Sequence, residues 1–308
     1  MTRRLYGLAV RSALPLPGPR TRARPDVELV PARGRDPWAG RVAAGRDSPD
    51  WFVHRRLPGG ATFVRWRGLF EFVIGRDGRR IEWRRLPHAT SEAFRSYLLS
   101  QVLSFALLAR GQEPLHASVV TGPGGAVGFL AGPGGGKSTL TAAFLQAGHR
   151  LVTDDLLALT GHGHGYRAEL GVPRIKLYPR VARALLGARQ GAGRPLNPET
   201  AKRILPLPRS RMARGAVPLT ALYVLARGPA VRVRRLAPGE ALLALVGASF
   251  NTVEVDRRRL ARQFAFAARL ARAVPVCRVS YPHRLSLLPR VREAILADVA
   301  GPNGARPG

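Results

Sequence analysis

The segment AGPGGGKST at residues 131–139 places closely spaced glycines directly before a lysine and two hydroxyl side chains. Glycine adopts positive φ angles at no steric cost, so successive backbone N–H groups can point toward one anion. Lys137 could contact the β- and γ-phosphates of a nucleotide, and the Ser138 hydroxyl could ligate Mg²⁺. The segment fits the pattern G-x-x-x-x-G-K-[ST], except that a small alanine replaces the first glycine. The predicted nucleotide-binding residues are Ala131, Gly132, Pro133, Gly134, Gly135, Gly136, Lys137, Ser138 and Thr139.

Two adjacent carboxylates, Asp154 and Asp155, follow this segment after a helix-like stretch and a second apolar run. Beside bound phosphates, one carboxylate could hold Mg²⁺ and the other could accept a proton from an attacking hydroxyl group or water. The alternative is that the pair is only a solvated cap of the next helix. The phosphate-binding pattern favours the first interpretation, with Ser138 and Asp154 as candidate metal ligands.

The elements around these residues predict how they come together. Residues 126–131 form an apolar run typical of a buried strand, residues 137–147 predict a helix, and residues 150–153 predict the next strand. In a strand–helix–strand unit both strands run in the same direction. The glycine-rich loop and the aspartates should therefore meet at the carboxyl edge of the sheet, where α/β proteins bind ligands.

Three blocks of residues resemble a known family. GPGGGKS, GHRLVTDD and PLHASVV are similar to segments of the HPr kinase/phosphorylase family, which are bacterial P-loop serine kinases. Asp155 lies eighteen positions after Lys137, and His116 lies twenty-one positions before it, as in that family. The layout of the whole chain resembles the HPr-kinase-related group, some of whose members phosphorylate serine on ribosomally made peptides such as lasso-peptide precursors.

The resemblance implies an α/β P-loop fold, ATP and Mg²⁺ as cofactors, and a peptide or small protein with an acceptor serine as partner. It implies that Asp155 is the general base, that His116 and Lys137 are further catalytic residues, and that Ser138 ligates Mg²⁺. It also suggests a homo-oligomer. A further glutamate ligand of the family has no clear equivalent, Glu169 being the nearest candidate, and the phosphorylase segment is not recognisable. Kinase activity is therefore the part of the resemblance that we expect here.

The composition of the 308-residue chain sets wider limits. Its 45% apolar content is that of a globular protein, and its single cysteine, Cys277, excludes an intramolecular disulfide. No apolar run reaches the length of a membrane span, and Arg11 interrupts a faint signal-like N-terminus. These features predict a cytoplasmic protein. The net charge of +31 comes almost entirely from dispersed arginine, which favours compositional drift over a nucleic-acid-binding surface.

The sequence predicts an N-terminal antiparallel β region at residues 1–90, a kinase domain at residues 91–300 and a frayed tail at residues 301–308. The first fifty residues could be disordered or form a β element, since two short β-like runs lie within an Arg-, Pro- and Gly-rich segment. Helical periodicity over residues 91–110 opens the second domain and ends at Gly111.

Several further residues are open to two interpretations. His162 and His164 could bind a metal, but a hairpin tip is favoured because two histidines make a weak metal signal. Lys176, Lys202 and Arg203 could lie beside phosphates or a peptide carboxylate, or could be surface charge. The later chain predicts a strand at residues 168–172, a polar loop to about residue 200, two strands and two basic helices. In the first of these helices we expect Leu260, Phe264 and Leu270 to face the core and the arginines to face solvent.

Three other functions fit the same motifs. The chain could be a nucleotide-binding regulatory or maturation-complex protein without transfer activity. It could be a P-loop ATPase that acts on nucleic acid, which only the charge suggests. It could also be a small-molecule P-loop kinase, because the sequence does not reveal the acceptor pocket.

Overall fold

The computed structural model describes residues 1–34, 38, 49–161, 165–187, 189, 192–197 and 200–301. Its contacts divide the chain into two compact units, Met1–Gln112 with Asn251–Val253 and Glu113–Phe250 with Glu254–Gly308. Both units contain α-helices and β-strands, so the protein is a mixed α/β protein. In the described ranges, no helix is both long enough and apolar enough to cross a membrane.

The first unit contains a seven-stranded sheet in the order β1-β2-β3-β7-β6-β5-β4. Its strands are β1 (Thr2–Leu5), β2 (Leu8–Ser12), β3 (Val27–Pro31), β4 (Phe52–Arg56), β5 (Thr62–Trp66), β6 (Phe70–Ile74) and β7 (Arg80–Arg85). Of the two expectations for the first fifty residues, disorder or a β element, the described part therefore shows the β element. Residues 35–37 and 39–48 lie outside the described residues.

The expectation of a purely antiparallel N-terminal region is wrong in one respect. β3 pairs parallel with both β2 and β7, whereas the remaining pairs are antiparallel. The first β-like run also splits into the β1–β2 hairpin, which turns at Tyr6 and Gly7 with φ angles of 52° and 81°. The long connection from β2 to β3 then brings the chain back in the same direction, which is why these two strands are parallel.

The helical segment after β7 belongs to this first unit, so the unit boundary follows Gln112 rather than residue 90. The segment consists of α1 (Ser91–Tyr97), a π-helical turn (Leu98–Val102) and α2 (Leu103–Ala109). Thr90 caps it by accepting a hydrogen bond from the Ala93 N–H. Phe94 then stacks on Phe72 with ring centroids 5.7 Å apart and also contacts Trp83, which holds the helix on the sheet. Aromatic packing on β6 and β7 thus assigns the helix to the first unit.

The second unit contains an eight-stranded sheet, a separate three-stranded sheet and five helices among its described residues. The strands are β8 (Ala117–Gly122), β9 (Gly125–Leu130), β10 (Leu151–Thr153), β11 (Leu159–Thr160), β12 (Arg167–Ala168), β13 (Arg174–Leu177), β14 (Arg194–Asn197), β15 (Thr200–Pro206), β16 (Val217–Arg227), β17 (Arg232–Arg235) and β18 (Val276–Tyr281). The helices are α3 (Lys137–Gln146), α4 (Pro179–Leu186), α5 (Pro238–Gly247), α6 (Arg257–Ala273) and α7 (Leu288–Ala300).

The strand–helix–strand unit predicted around the glycine-rich loop is present as β9, α3 and β10. Both strands pair antiparallel with β8, so they run in the same direction with β8 between them. α3 is anchored by Leu140, Phe144 and Leu145, which belong to a core cluster with the sheet. The end of β9 and the end of β10 therefore lie at one edge of the sheet, as the sequence predicted.

The three-stranded sheet, in the order β13-β15-β14, was not predicted. The predicted strand at residues 168–172 is reduced to the two-residue β12, and the predicted polar loop to residue 200 contains β13, α4 and β14. Ile175, Leu177 and Leu205 attach this sheet to the core of the second unit. Because prolines and isolated polar residues interrupt the segment, its alternation of apolar and polar residues is too short to read from the sequence.

The C-terminal part contains three helices and β18, rather than the two helices that the sequence predicted. The orientation expected for α6 is also wrong. Leu270 is buried, but Leu260 and Phe264 are 43% and 58% exposed, while Arg259 is only 2% exposed. Arg259 is buried because its guanidinium donates to the backbone carbonyls of Glu254 and Phe250 and pairs with Glu113. Of the expected frayed tail, residues 302–308 lie outside the described residues.

Candidate functional site

The glycine-rich loop joins the buried end of β9 to the first residue of α3. Gly134 and Gly136 have φ angles of 76° and 93°, which side-chain-bearing residues rarely adopt. At Gly135 a Cβ atom would lie 2.6 Å from Cβ of Ala131, so any larger residue would push the loop apart. The Gly135 N–H closes the loop by donating to the Gly132 carbonyl oxygen at 3.1 Å. The glycines therefore produce a tight loop at the start of the helix.

The N-terminus of α3 is suited to an anion. Its N-cap is Gly136, and no side chain caps the helix. The first N–H groups of a helix have no partner within the helix, and its dipole places partial positive charge there. Ser138 and Thr139 lie in this first turn, beside Lys137. The loop and helix start thus have the properties of a phosphate cradle.

Lys137 is buried against the loop that precedes it. Its Nζ donates to the carbonyl oxygen of Ala131 at 2.6 Å and lies 3.4 Å from that of Gly132. Burial lowers the pKa of Lys137, and the carboxylates of Asp155 and Asp154 partly oppose this effect. An anion in the loop would supply the compensating charge that this buried ammonium group lacks.

Asp154 connects the loop region to β8 and β13. Its Oδ1 accepts hydrogen bonds from Ser138 Oγ at 3.1 Å and from Ser118 Oγ at 2.6 Å, and its Oδ2 accepts one from the backbone N–H of Lys176 at 3.0 Å. A hydroxyl and a carboxylate oxygen in contact are the hard ligands that Mg²⁺ uses when phosphates complete its coordination. The pair Ser138 and Asp154 therefore fits the predicted metal ligands.

No cluster of three or more His, Cys, Asp or Glu side chains that could hold a metal occurs among the described residues. A metal at Ser138 and Asp154 would therefore need oxygen atoms from a nucleotide and from water. Glu169, the nearest candidate for a further ligand, accepts a hydrogen bond from Thr160 Oγ1 at 2.7 Å, which ties its carboxylate to β11 instead. The histidine pair His162 and His164 lies outside the described residues.

Asp155 is held by two basic side chains. Lys176 Nζ donates to its Oδ2 at 2.6 Å, and His116 Nε2 lies 3.2 Å from its Oδ1. Burial favours the neutral carboxylic acid, but the ammonium group of Lys176 and the hydrogen bond from His116 outweigh it and hold the pKa of Asp155 well below its usual range. Its φ angle of 82° is rare for a residue with a side chain, and such backbone strain concentrates at functional sites.

His116 is fixed on both its backbone and its ring. It directly precedes β8, and its N–H donates to the carbonyl oxygen of Ala248 at 2.6 Å. Its imidazole packs against the ring of Phe250, with centroids 5.3 Å apart. His116, Lys137 and Asp155, which are far apart in sequence, are therefore brought together in the second unit.

The structure places two of the three basic candidates, Lys176 and Lys202, close to these residues. All three lysines of the chain lie in this region. Lys176 contacts Asp155, and Lys202 is close enough to add to the lowering of the pKa of Lys137, after the larger effect of burial. The third candidate, Arg203, instead donates to the carbonyl oxygen of Gly193. The scarcity of lysine in an arginine-rich chain was the sequence signal that pointed to Lys176.

Replacing Lys176 by methionine should raise the pKa of Asp155. The ammonium group stabilises the charged carboxylate, so without it burial favours the protonated form. In the wild type, the stability that comes from ionised Asp155 is present above the pKa of Asp155 in the unfolded chain. It is lost only as the pH falls through the lower folded pKa. The Asp155 carboxyl carbon, followed by NMR in an acid titration, should show a higher midpoint in Lys176→Met.

Lys202→Met is the matched control for this titration, because the Lys202 ammonium group lies over the Tyr178 ring, whereas that of Lys176 contacts Asp155. It should leave the midpoint at its wild-type value. An unchanged midpoint in Lys176→Met would show that the ion pair does not control Asp155.

Comparison with known proteins adds little to this geometry. No protein-family model matches the sequence, and no curated protein matches it. Among solved structures, the chain is similar to the Hpr(Ser) kinase/phosphatase from Coxiella burnetii, with 14% identity and a TM-score of 0.34. The match covers 61% of this chain and 99% of that one. A TM-score this low does not establish a shared fold, so the resemblance to the HPr kinase/phosphorylase family stays a prediction.

Proposed function

We propose that this protein is a kinase that uses ATP and Mg²⁺ to phosphorylate a serine hydroxyl of a peptide or small protein. The observation that carries the proposal is the convergence of Lys137, Asp155 and the Ser138–Asp154 oxygen pair at one edge of the sheet. A phosphate cradle, a candidate metal site and a carboxylate base are the parts that phosphoryl transfer requires.

Each part has a separate task in this proposal. Bound Mg²⁺·ATP would supply the phosphoryl group and offset part of its charge. The glycine-rich loop and the start of α3 would hold the phosphates, and the Lys137 ammonium group would stabilise negative charge on them. Ser138 and Asp154 would hold the metal. His116 and Lys176 would orient Asp155 toward the acceptor hydroxyl group.

The low pKa of Asp155 suits a particular kind of base. It keeps the carboxylate ionised over a wide pH range, so it can always accept a hydrogen bond from the serine hydroxyl group. Phosphoryl transfer passes through a loose transition state in most analyses, in which the nucleophile is little activated. A weak base that orients the hydroxyl group and takes its proton late is sufficient for such a reaction.

Transfer of label from γ-labelled ATP to serine peptides in the presence of Mg²⁺ tests the proposal directly. Candidate acceptors are peptides encoded beside the gene, and phosphoserine identified by mass spectrometry would support the function. Nucleotide binding without transfer to any peptide or small hydroxyl compound would contradict it.

A nucleotide-binding protein without transfer activity is the second candidate. The two oxygen atoms of Asp155 already contact Lys176 and His116, an arrangement that would also suit an inert site. Such a protein would bind ATP through Lys137, and Asp155→Asn would leave this nucleotide binding unchanged.

Asp154→Asn should weaken the dependence of nucleotide binding on Mg²⁺. The amide keeps the shape of the side chain and can still accept a hydrogen bond from Ser118, but it removes the negative charge that would attract the metal. Loss of a group that only orients a metal ligand costs on the order of ten- to a hundredfold in metal affinity, and we expect at least that loss for a ligand. Calorimetric titration of ATP with and without Mg²⁺ measures the effect.

Asp77→Asn is the control for this change, because Asp77 lies in an exposed turn of the first unit. It should retain the full effect of Mg²⁺ on ATP affinity. If Asp154→Asn retained it as well, the metal would be held elsewhere.

A further inference from the structure

The two faces of the three-stranded sheet differ in character. Residues that are directly opposite on paired strands, or two apart on one strand, point to the same face. Ile175, Leu177 and Leu205 lie on the face that packs on the core of the second unit. Lys176 and Arg194 are both in register with Ile204, and so lie on the opposite face.

Lys202 and Tyr178 share that opposite face, since Lys202 is two residues from Ile204 and Tyr178 is two residues from Lys176. The Lys202 ammonium group lies over the Tyr178 ring, 5.5 Å from its centroid, and Tyr178 is 45% exposed. We call the set Lys176, Tyr178, Arg194 and Lys202 the cationic sheet face.

Lys176 of the cationic sheet face pairs with Asp155, whereas its other two cations, Lys202 and Arg194, have no acidic partner among the residues that the structure describes. Within those residues, no carboxylate lies within 4 Å of the side-chain nitrogen atoms of Lys202 or Arg194. This contrasts with Arg234 on β17, which pairs with Glu240, and with Arg110, which pairs with Asp26. As far as the described residues extend, Lys202 and Arg194 therefore have charge available for an anionic ligand.

The cationic sheet face begins at the candidate base. Lys176 contacts Asp155 directly, and Lys202 acts on Lys137, whose pKa is lowered by burial and then further by the Lys202 ammonium group. Neighbouring strands are about 4.8 Å apart, so the row from β13 across β15 to β14 extends about 10 Å away from Asp155. An extended peptide covers that distance with about three residues.

We infer that the cationic sheet face binds the acceptor, and that this acceptor is an acidic peptide segment with carboxylates within about three residues of its serine. The inference rests on the proposed function, in that Asp155 marks the position of the acceptor hydroxyl group. Lys202 and Arg194 would pair with the carboxylates, and the exposed Tyr178 ring would contact the peptide between them. Lys202 and Arg194 would thus determine which peptide binds, and they do not take part in phosphoryl transfer.

Two serine peptides of equal length test the inference. One carries aspartates on both sides of the serine within three positions, and the other carries asparagines in their place. Binding is measured by fluorescence anisotropy, and transfer from γ-labelled ATP is measured in parallel. The wild type should bind the acidic peptide about tenfold more tightly, because two exposed charge pairs, at Lys202 and Arg194, contribute about threefold each. Lys202→Gln and Arg194→Gln should each remove about threefold of this preference and leave binding of the neutral peptide unchanged.

Arg232→Gln is the matched control. Arg232 lies exposed on β17, which belongs to the eight-stranded sheet, whereas the cationic sheet face lies on the separate three-stranded sheet. Because the chain carries a net charge of +31, a general attraction for acidic peptides would be weakened equally by all three substitutions. Equal weakening, or equal binding of the two peptides by the wild type, would overturn the inference.

The two readouts separate the inference from the proposed function. Preferential binding of the acidic peptide without any transfer would support the binding face and contradict the kinase. Transfer to both peptides with the same kcat/KM would support the kinase and overturn the acidic acceptor.

Discussion

Asp155→Asn is expected to lower the rate of phosphoryl transfer by about 10²- to 10⁴-fold, the usual contribution of a general base. Asparagine tolerates positive φ angles better than most residues, so it fits the φ angle of 82° at this position. Its amide cannot accept the serine proton, and it no longer forms an ion pair with Lys176. Asp155 contacts Lys176 and His116, whereas the glycine-rich loop and the start of α3 form the phosphate cradle. The affinity for ATP should therefore stay within a few-fold of the wild type.

Single-turnover transfer and equilibrium ATP binding together measure this prediction. Asp77→Asn makes the same chemical change in an exposed turn and should transfer at the wild-type rate. Transfer by Asp155→Asn at the wild-type rate would remove Asp155 from the mechanism. Loss of ATP binding in the variant would show instead that the aspartate supports the nucleotide site.

The part of the site that the sequence could predict is the part that short-range rules determine. β9 and β10 run in the same direction because one helix joins them. The contact between Ser138 and Asp154 could therefore be expected from the sequence. The glycine spacing likewise identified the loop, because glycine adopts the φ angles found at Gly134 and Gly136 without the steric cost that other residues incur. In each case the signal lies within about twenty residues of sequence.

The contribution of β13 was not predictable in the same way. Lys176 reaches Asp155 only because β13 pairs with β15, and that strand pairing joins residues that are far apart in sequence. The four residues of β13 are too few for their alternation of apolar and polar side chains to be recognised as a strand. The lysine could be singled out by its rarity, but its partner could not be named.

The orientation of α6 shows a different limit. Its apolar residues at positions 260 and 264 suggested an inward face, yet the buried stripe runs through Arg259, Gln263 and Ala267. An arginine lies inside because two backbone carbonyls accept hydrogen bonds from the terminal nitrogens of its guanidinium group, and Glu113 offsets its charge. Burial raises the pKa of Glu113, and the charge of Arg259 opposes that shift. A hydrophobic pattern contains no information about such partners, since they come from another part of the chain.

Lys137→Met is expected to raise the dissociation constant for ATP by about ten- to a hundredfold, which corresponds to the loss of about 1.5–3 kcal/mol for a charged hydrogen bond. Methionine matches the length of the four-carbon part of the lysine side chain and lacks the ammonium group. The folded protein without nucleotide should not be destabilised, because burial disfavours the charged form of this lysine. A buried charge replaced by an apolar side chain of similar volume is often neutral or stabilising. Lys137→Met should therefore melt at the wild-type temperature or above it in the absence of ATP.

The combination of weaker binding with undiminished stability separates a ligand-binding lysine from a structural one. Calorimetric ATP titration and thermal melting measured on the same preparation give both values, and Arg232→Met, a change on exposed β17, should alter neither. A lower melting temperature with unchanged ATP affinity would mean that the bonds from Lys137 Nζ to Ala131 and Gly132 serve only to close the loop. In that case the glycine-rich loop would not be a phosphate cradle, and the proposed kinase would lose the group that stabilises the transferred charge. Weaker ATP binding with an unchanged or higher melting temperature would instead place Lys137 at the phosphates. The loop would then still be folded, so the lost affinity would come from the missing ammonium group.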